Sequence, residues 1–285
     1  MNEKKPNFLY LGATRTGSTW LYLLLSRHPQ IFIPDAKDIW FFDRDYKRGL
    51  EWYENFFKGV NHAHKAVGEI SHYLFHEETA KRIHEYRPNI KLIINLRDPM
   101  ERFLSHYHWM TKRAGVRYGG VIDFGQRYPQ SEREGKSAEF LSKFLKYFRP
   151  DQFFIFDFEL IASNPKGYLN SLLSFLGCDP NMADEGLMKE KVFDSREPRF
   201  RPLNLMLYHF ATLARKLGQI TLVGKLKHSG HMEKFLFKRQ KAETKLSTAE
   251  ETYLYQLYRD DVRLLQKVLK SFVNKMGEFS WVSNY

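Results

Sequence analysis

The stretch FLYLGATRTGSTWLYLLLS, residues 8–26, decides the fold. Its first six residues are a short apolar run ended by glycine and polar residues, the pattern of a buried strand. WLYLLLSRH then has the spacing of a helix. Between them, residues 13–21 read ATRTGSTWL, a loop joining strand to helix. The first N–H groups of a helix lack intrahelical partners and its dipole favours negative charge there, so such a loop suits a phosphate. Gly17 permits close backbone approach, Ser18 and Thr19 add hydroxyl donors, and Arg15 adds charge. An ordinary strand-to-helix turn is the competing reading. This is not a Walker loop, because the G-x-x-x-x-G-K-[ST] spacing is lacking and no lysine follows the glycine.

A second junction of the same kind follows in KLIINLRDPMERFLSHY, residues 91–107, where Asp98 is placed to cap a helix and Pro99 falls in its first turn. Arg97 ends the strand and Ser105 lies two helical turns further on, so together they suit a second phosphate approached from another direction. Alternatively, Arg97 and Arg102 pair with Asp98 or Glu101. A second strand and loop are expected in residues 31–38, further strands in 66–71 and 153–160, and helices in 76–87, 138–149 and 165–177, the last stopped by Gly177. Strands alternating with helices imply a parallel sheet covered on both faces. Beyond Cys178 come a charged segment (189–202), a helix candidate (203–218), a basic linker and a long amphipathic helix candidate (247–272). The expected organisation is one α/β domain over residues 1–285, with a nucleotide-binding core in 1–177 and a helical cover in 178–285.

A chain of 285 residues allows one large domain or two ordinary ones at roughly 150 residues each. Hydrophobic residues at 43% and charged residues at 27% are the balance of a folded globular chain. Lysine and arginine number 45 against 33 acidic residues, and the resulting +12 favours anionic partners without choosing among nucleotides, acidic glycans, nucleic acid and lipid. Cys178 is the only cysteine, which excludes an intramolecular disulfide and with it a disulfide-stapled secreted scaffold. The first apolar run is broken too early for a signal peptide, and no stretch approaches the roughly 20 apolar residues of a membrane span. A cytoplasmic protein is therefore expected. The histidines lack a ligand spacing with Asp, Glu or Cys, so no metal is expected.

TRTGSTWL followed by LRDPMERFLSHY resembles the two nucleotide-binding signatures of sulfotransferases that use 3′-phosphoadenosine-5′-phosphosulfate (PAPS), in particular their bacterial and heparan-sulfate-type branch. AKDIWFFD, VGEIS, FDFELIASNPKGYLNSLLSFLG and LYRDDVRLLQKVL occur between and after them in the family's order. The resemblance implies a P-loop-like three-layer fold with a central parallel sheet flanked by helices and a helical C-terminal cover. It also implies that Arg15, Thr16, Gly17, Ser18 and Thr19 hold the 5′-phosphosulfate and that Arg97 and Ser105 hold the 3′-phosphate. Trp20 lies either beside the nucleotide or in the core at a helix start. The segment SREPRFRP (195–202), with Arg196, Arg199 and Arg201, falls where relatives close a basic segment over the nucleotide; a solvated charge run is the other reading.

Two departures bear on the chemistry. The family usually has lysine where this chain has Arg15. Arginine still makes bidentate contacts to phosphate or sulfate oxygens, but its high pKa makes it a poor proton donor to a leaving phosphate. The heparan-sulfate-type branch carries a glutamate base where AKDIWFFD places Asp38, and commonly a histidine where it places Trp40. His72, after the strand AVGEIS, is the competing base. Lys37 is a candidate to assist the leaving group or bind an acidic acceptor, and Glu69 to orient groups near it. Trp40, Phe41, Phe42, Trp52, Tyr53, Tyr107 and Trp109 either flank an acceptor or fill the core.

The implied reaction moves the sulfuryl group of PAPS to a hydroxyl of a carbohydrate, glycolipid or secondary metabolite, leaving adenosine 3′,5′-bisphosphate. A P-loop-type small-molecule kinase is the alternative enzyme, weakened by the missing Walker lysine. A basic nucleic-acid or anionic-surface binding protein is the non-catalytic alternative, but no helix-turn-helix, finger or RNP signature accompanies the charge. Acceptor identity and oligomeric state are not encoded in any motif of the chain.

Overall fold

The computed structural model of the protein describes residues 5–73, 78–113, 115–184, 186, 196–198, 237–239 and 245–285. Six strands form one parallel sheet: β1 (Phe8–Tyr10), β2 (Ile31–Phe32), β3 (Ala66–Ile70), β4 (Lys91–Leu96), β5 (Phe153–Asp157) and, numbered last along the chain, β8 (Lys275–Met276). Their order across the sheet is β2-β3-β1-β4-β5-β8. A separate antiparallel pair joins β6 (Arg196–Pro198) to β7 (Phe237–Arg239).

β1 and the centres of β4 and β5 read as apolar runs because the sheet is buried on both faces. Alternate side chains divide between two cores. Leu9, Leu92, Ile94, Phe153 and Ile155 face one of them, together with Phe103, Leu141 and, from the long helix Thr248–Leu269, Leu254, Val262 and Leu265. Phe8, Tyr10, Ile93, Phe154 and Phe156 face the other, against α1 (Ser18–Ser26) and the helix Pro165–Leu176. Each of these side chains contributes about 2 kcal/mol on burial, so the sheet is a rigid platform for the loops at its edge.

Helix ends follow their sequence signals. Asp98 accepts hydrogen bonds from the N–H groups of Met100 and Glu101 and so caps α2 (Pro99–His108), with Pro99 in the first turn. Gly177 ends the helix Pro165–Leu176 in the left-handed region at φ 78°. Ser247 and Glu250 form a reciprocal capping box at the start of the long helix. The region beyond Cys178 is not wholly helical, since β8 extends the main sheet beside β5 and β6 pairs with β7. β8 has only two residues, too few to show a strand period in sequence. The helix expected in 203–218 lies outside the described residues.

Chain order reverses at β1: β3 flanks it on one side and β4 on the other. In open α/β sheets a ligand crevice forms at such a switch point, beyond the carboxyl ends of the strands. The loops after β1 and β4 both lie there.

Candidate active site

The loop after β1 is held from the protein side by its carbonyl groups. The Ala13 carbonyl accepts from Thr16 Oγ1 at 2.7 Å, the Arg15 carbonyl from Arg97 Nη1 at 3.1 Å and the Thr16 carbonyl from Asn95 Nδ2 at 2.9 Å. Tyr10 Oη lies 2.6 Å from Thr16 Oγ1. Arg15 then donates from Nε to Ser105 Oγ on α2 at 3.1 Å. The two junctions singled out in the sequence are therefore in direct contact through Arg15, Arg97 and Ser105. Gly17, at φ 87°, leads directly into α1, where left-handed backbone suits a residue without Cβ.

Arg97 is largely buried, with side-chain exposure of 16%. Its guanidinium carbon lies 4.6 Å from the centre of the Phe158 ring, one nitrogen is 3.6 Å from the exposed Glu101 carboxylate, and its buried Nε has no hydrogen-bond partner. The alternative pairing with Glu101 is thus present, yet it leaves a buried N–H unused. Arg102 turns the other way, to Ser131 and Glu134. His106 beside it is pushed down to about 2 by burial and then by the neighbouring guanidinium groups of Arg102 and Arg15.

Of the other loop residues, Thr16 and Ser18 are buried and Thr19 is exposed. Trp20 is 2% exposed and packs against Tyr168 with ring centres 5.5 Å apart. The first turn of α1 carries it onto the face that meets the helix Pro165–Leu176. Arg199 and Arg201 lie outside the described residues. Arg196 belongs to β6, which lies against the turn Trp109–Arg113 following α2.

A second group of side chains gathers beside the loop. Lys37 Nζ donates to both oxygens of Asp38, at 3.1 and 3.3 Å. Asp38 Oδ1 lies 3.5 Å from His72 Nε2, and His72 Nδ1 is 2.6 Å from the Gly12 carbonyl. A carbonyl only accepts, so Nδ1 carries the hydrogen and Nε2 faces Asp38. Burial lowers the His72 pKa against the raising effect of the Asp38 charge. Both candidate bases thus stand together, next to the residue that precedes the anion loop.

Glu69 fixes the segment carrying Asp38. Fully buried, it accepts from the hydroxyls of Tyr53 at 2.9 Å, Ser71 at 2.8 Å and Tyr73. Ser71 Oγ in turn accepts from the Trp40 N–H at 3.2 Å, and the Asp38 N–H donates to the Ile70 carbonyl at 3.0 Å. Burial raises the Glu69 carboxyl to about 7 despite these hydrogen bonds. Among the described residues four non-glycine positions have left-handed φ, and three are here: Arg15 (68°), Asp38 (62°) and Trp40 (53°). Such conformations persist where surrounding contacts over-determine them, and they concentrate at functional sites.

The aromatic group divides. Phe41, Phe42 and Tyr53 are core, with Phe41 stacked on Tyr53 at 4.5 Å. Trp40, Trp52, Tyr107 and Trp109 are half-buried, and guanidinium groups cover two of them, Arg44 over Trp40 at 3.9 Å and Arg48 over Trp52 at 4.7 Å. Glu134 was not among the sequence candidates, although its carboxylate reaches Thr14 in the anion loop. Its setting, SEREGKS, reads as a solvated charge run, and no local signal distinguishes it. Among the described residues, no group of three or more His, Cys, Asp or Glu side chains could hold a metal ion.

A parallel α/β sheet with an anion-suited loop at its switch point, braced by an arginine and a serine from the neighbouring junction, defines the class of P-loop-like proteins. Comparison with known proteins narrows the class. The model of the sulfotransferase domain matches residues 5–196, and the chain belongs to the sulfotransferase family. Over 107 residues it is 40% identical to the membrane-associated sulfotransferase kil1 of Dictyostelium discoideum, covering 36% of this chain and 23% of that protein. Over 200 residues it is 32% identical to the human bifunctional heparan sulfate N-deacetylase/N-sulfotransferase 3, covering 63% of this chain and 23% of that protein. The matched region is thus about a quarter of the length of these curated relatives. A solved sulfotransferase from Alicyclobacillus acidocaldarius shares the fold with a TM-score of 0.65 at 21% identity, covering 94% of this chain and 97% of that one.

Proposed function

We propose that the protein transfers the sulfuryl group of PAPS to an acceptor hydroxyl, giving a sulfate ester and adenosine 3′,5′-bisphosphate. The observation that carries this reading is the contact between the two junctions: Arg15 reaches Ser105 while Arg97 reaches the Arg15 carbonyl. One bisphosphorylated adenosine is able to engage both, with its 5′ end on residues 15–19 and its 3′-phosphate on Arg97 and Ser105. The donor set suits it. The buried, unpartnered Nε of Arg97 supplies an N–H for a phosphate oxygen, and guanidinium groups bind such oxygens in pairs.

In the reaction the acceptor oxygen forms a bond to sulfur as the bond from sulfur to the bridging phosphate oxygen breaks, and the acceptor proton passes to the protein. Asp38 is the proposed base, with His72 beside it as the alternative; Lys37 holds the Asp38 carboxylate in place. Arg15 contributes fixed positive charge where negative charge develops on the bridging oxygen. Arg199 is retained as a candidate for closure over the nucleotide. The acceptor class comprises carbohydrates, glycolipids and secondary metabolites.

A cytoplasmic location belongs to this proposal. Among the described residues no helix is long and apolar enough to cross a membrane, and fractionation of cells expressing the tagged chain decides the location. The activity is tested by incubating the protein with PAPS and a chemically diverse acceptor panel and reading a gain of about 80 Da by mass spectrometry. Adenosine 3′,5′-bisphosphate should raise the melting temperature by linkage. Stabilisation by ATP with magnesium and not by the bisphosphate would favour a kinase instead.

A further inference from the structure

We infer that Glu134 is a positioning residue for the 5′ half of the donor site, acting through Thr14 and not by touching the donor. This rests on the sulfotransferase reading above and adds a residue that no sequence motif marks. Glu134 is buried, with side-chain exposure of 1%, and its Oε2 accepts the Thr14 N–H at 3.0 Å and the Thr14 hydroxyl. The two residues are 120 positions apart, so the contact is made by the fold. The next residue, Gly135, packs closely on the long helix: a Cβ there would stand 2.4 Å from the Tyr258 ring.

A carboxylate beside an anion-binding loop opposes its charge, so this one needs a reason to be there. The same oxygen faces Arg102, itself 2% exposed, with Nη1 3.5 Å from Oε2 and Nη2 bonded to the Ser131 carbonyl. The pair keeps the Glu134 charge from being uncompensated, while Oε2 also accepts from Thr14. Thr14 immediately precedes Arg15, whose φ of 68° is disfavoured for a residue with Cβ. Glu134 thus anchors one end of a three-point clamp. Thr14 is fixed by Glu134, the Arg15 carbonyl by Arg97 and the Arg15 guanidinium by Ser105. Release of the first point frees the peptide between Thr14 and Arg15 to leave the left-handed region, and the guanidinium loses its aim at the 5′ end of the donor.

The experiment compares two probes, adenosine 3′,5′-bisphosphate and adenosine 3′-monophosphate, by calorimetry on the whole protein. With Glu134→Ala, affinity for the bisphosphate should fall at least tenfold, while that for the 3′-monophosphate changes less than threefold. Glu134→Gln keeps an oxygen for Thr14 and should bind the bisphosphate within threefold of wild type. Equal losses on both probes, no loss on either, or a Gln variant as weak as the Ala variant would each overturn the assignment. If Glu134→Ala does not fold, Thr14→Val decides: it removes the hydroxyl contact and leaves the Arg102–Glu134 pair, and a loss confined to the bisphosphate supports the role while an even loss or none ends it. Failure of the wild-type protein to bind either probe would instead strike the donor reading itself, and the inference with it.

Discussion

Replacing Glu69 by glutamine tests the buried network under Asp38 and has a magnitude that the structure supplies. The carboxyl moves from 4.5 to about 7, with burial as the leading cause. At 1.36 kcal/mol per pH unit the full change corresponds to about 3 kcal/mol. The folded state holds the proton more tightly than the unfolded chain. The stabilising contribution is therefore complete below pH 4.5 and is lost progressively as pH rises through 7. Glutamine has the same shape and no titration. Urea unfolding of wild type and Glu69→Gln at intervals from pH 4.5 to 8 should give a stability difference that shifts in favour of the variant by up to about 3 kcal/mol with rising pH. Two curves that run parallel over this range would show that Glu69 does not titrate there, and would refute the argument from burial.

Asp38→Asn should keep bisphosphate binding and lower sulfate transfer at least about tenfold, as expected for loss of a general base; unchanged turnover removes Asp38 from that role and passes it to His72. Arg97→Ala should weaken adenosine 3′,5′-bisphosphate by about tenfold or more, roughly the loss of one charge-assisted contact, and adenosine 5′-monophosphate far less; equal losses measured by calorimetry contradict the 3′-phosphate assignment. Gly177→Ala should cost about 1 kcal/mol in chemical denaturation, because φ is 78° and no atom lies within 4 Å of the added Cβ, so only the backbone conformation opposes the change.

The strands and most helix ends were legible in the chain because their causes are local. β1, β4 and β5 carry apolar runs bounded by polar or turn residues, and Asp98, Pro99 and Gly177 act within one helical turn of where they stand. The two junctions, with Arg15, Arg97 and Ser105, were visible for the same reason. Their mutual contact was not, since it depends on β4 taking its place beside β1. Trp20, next to the anion loop in sequence, turns inward once the helix begins, which composition alone does not show.

Sequence alone therefore determined the layered parallel architecture, the anion loop and the list of charged groups near it. Tertiary structure decided which of those groups act together: Lys37, Asp38 and His72 in one cluster, Glu69 beneath three hydroxyls, and Glu134 on Thr14. The reason is that hydrophobic period and helix caps are set by near neighbours along the chain, whereas the pairing and pKa of a buried charge are set by whatever the sheet brings to within a few ångströms of it from distant positions.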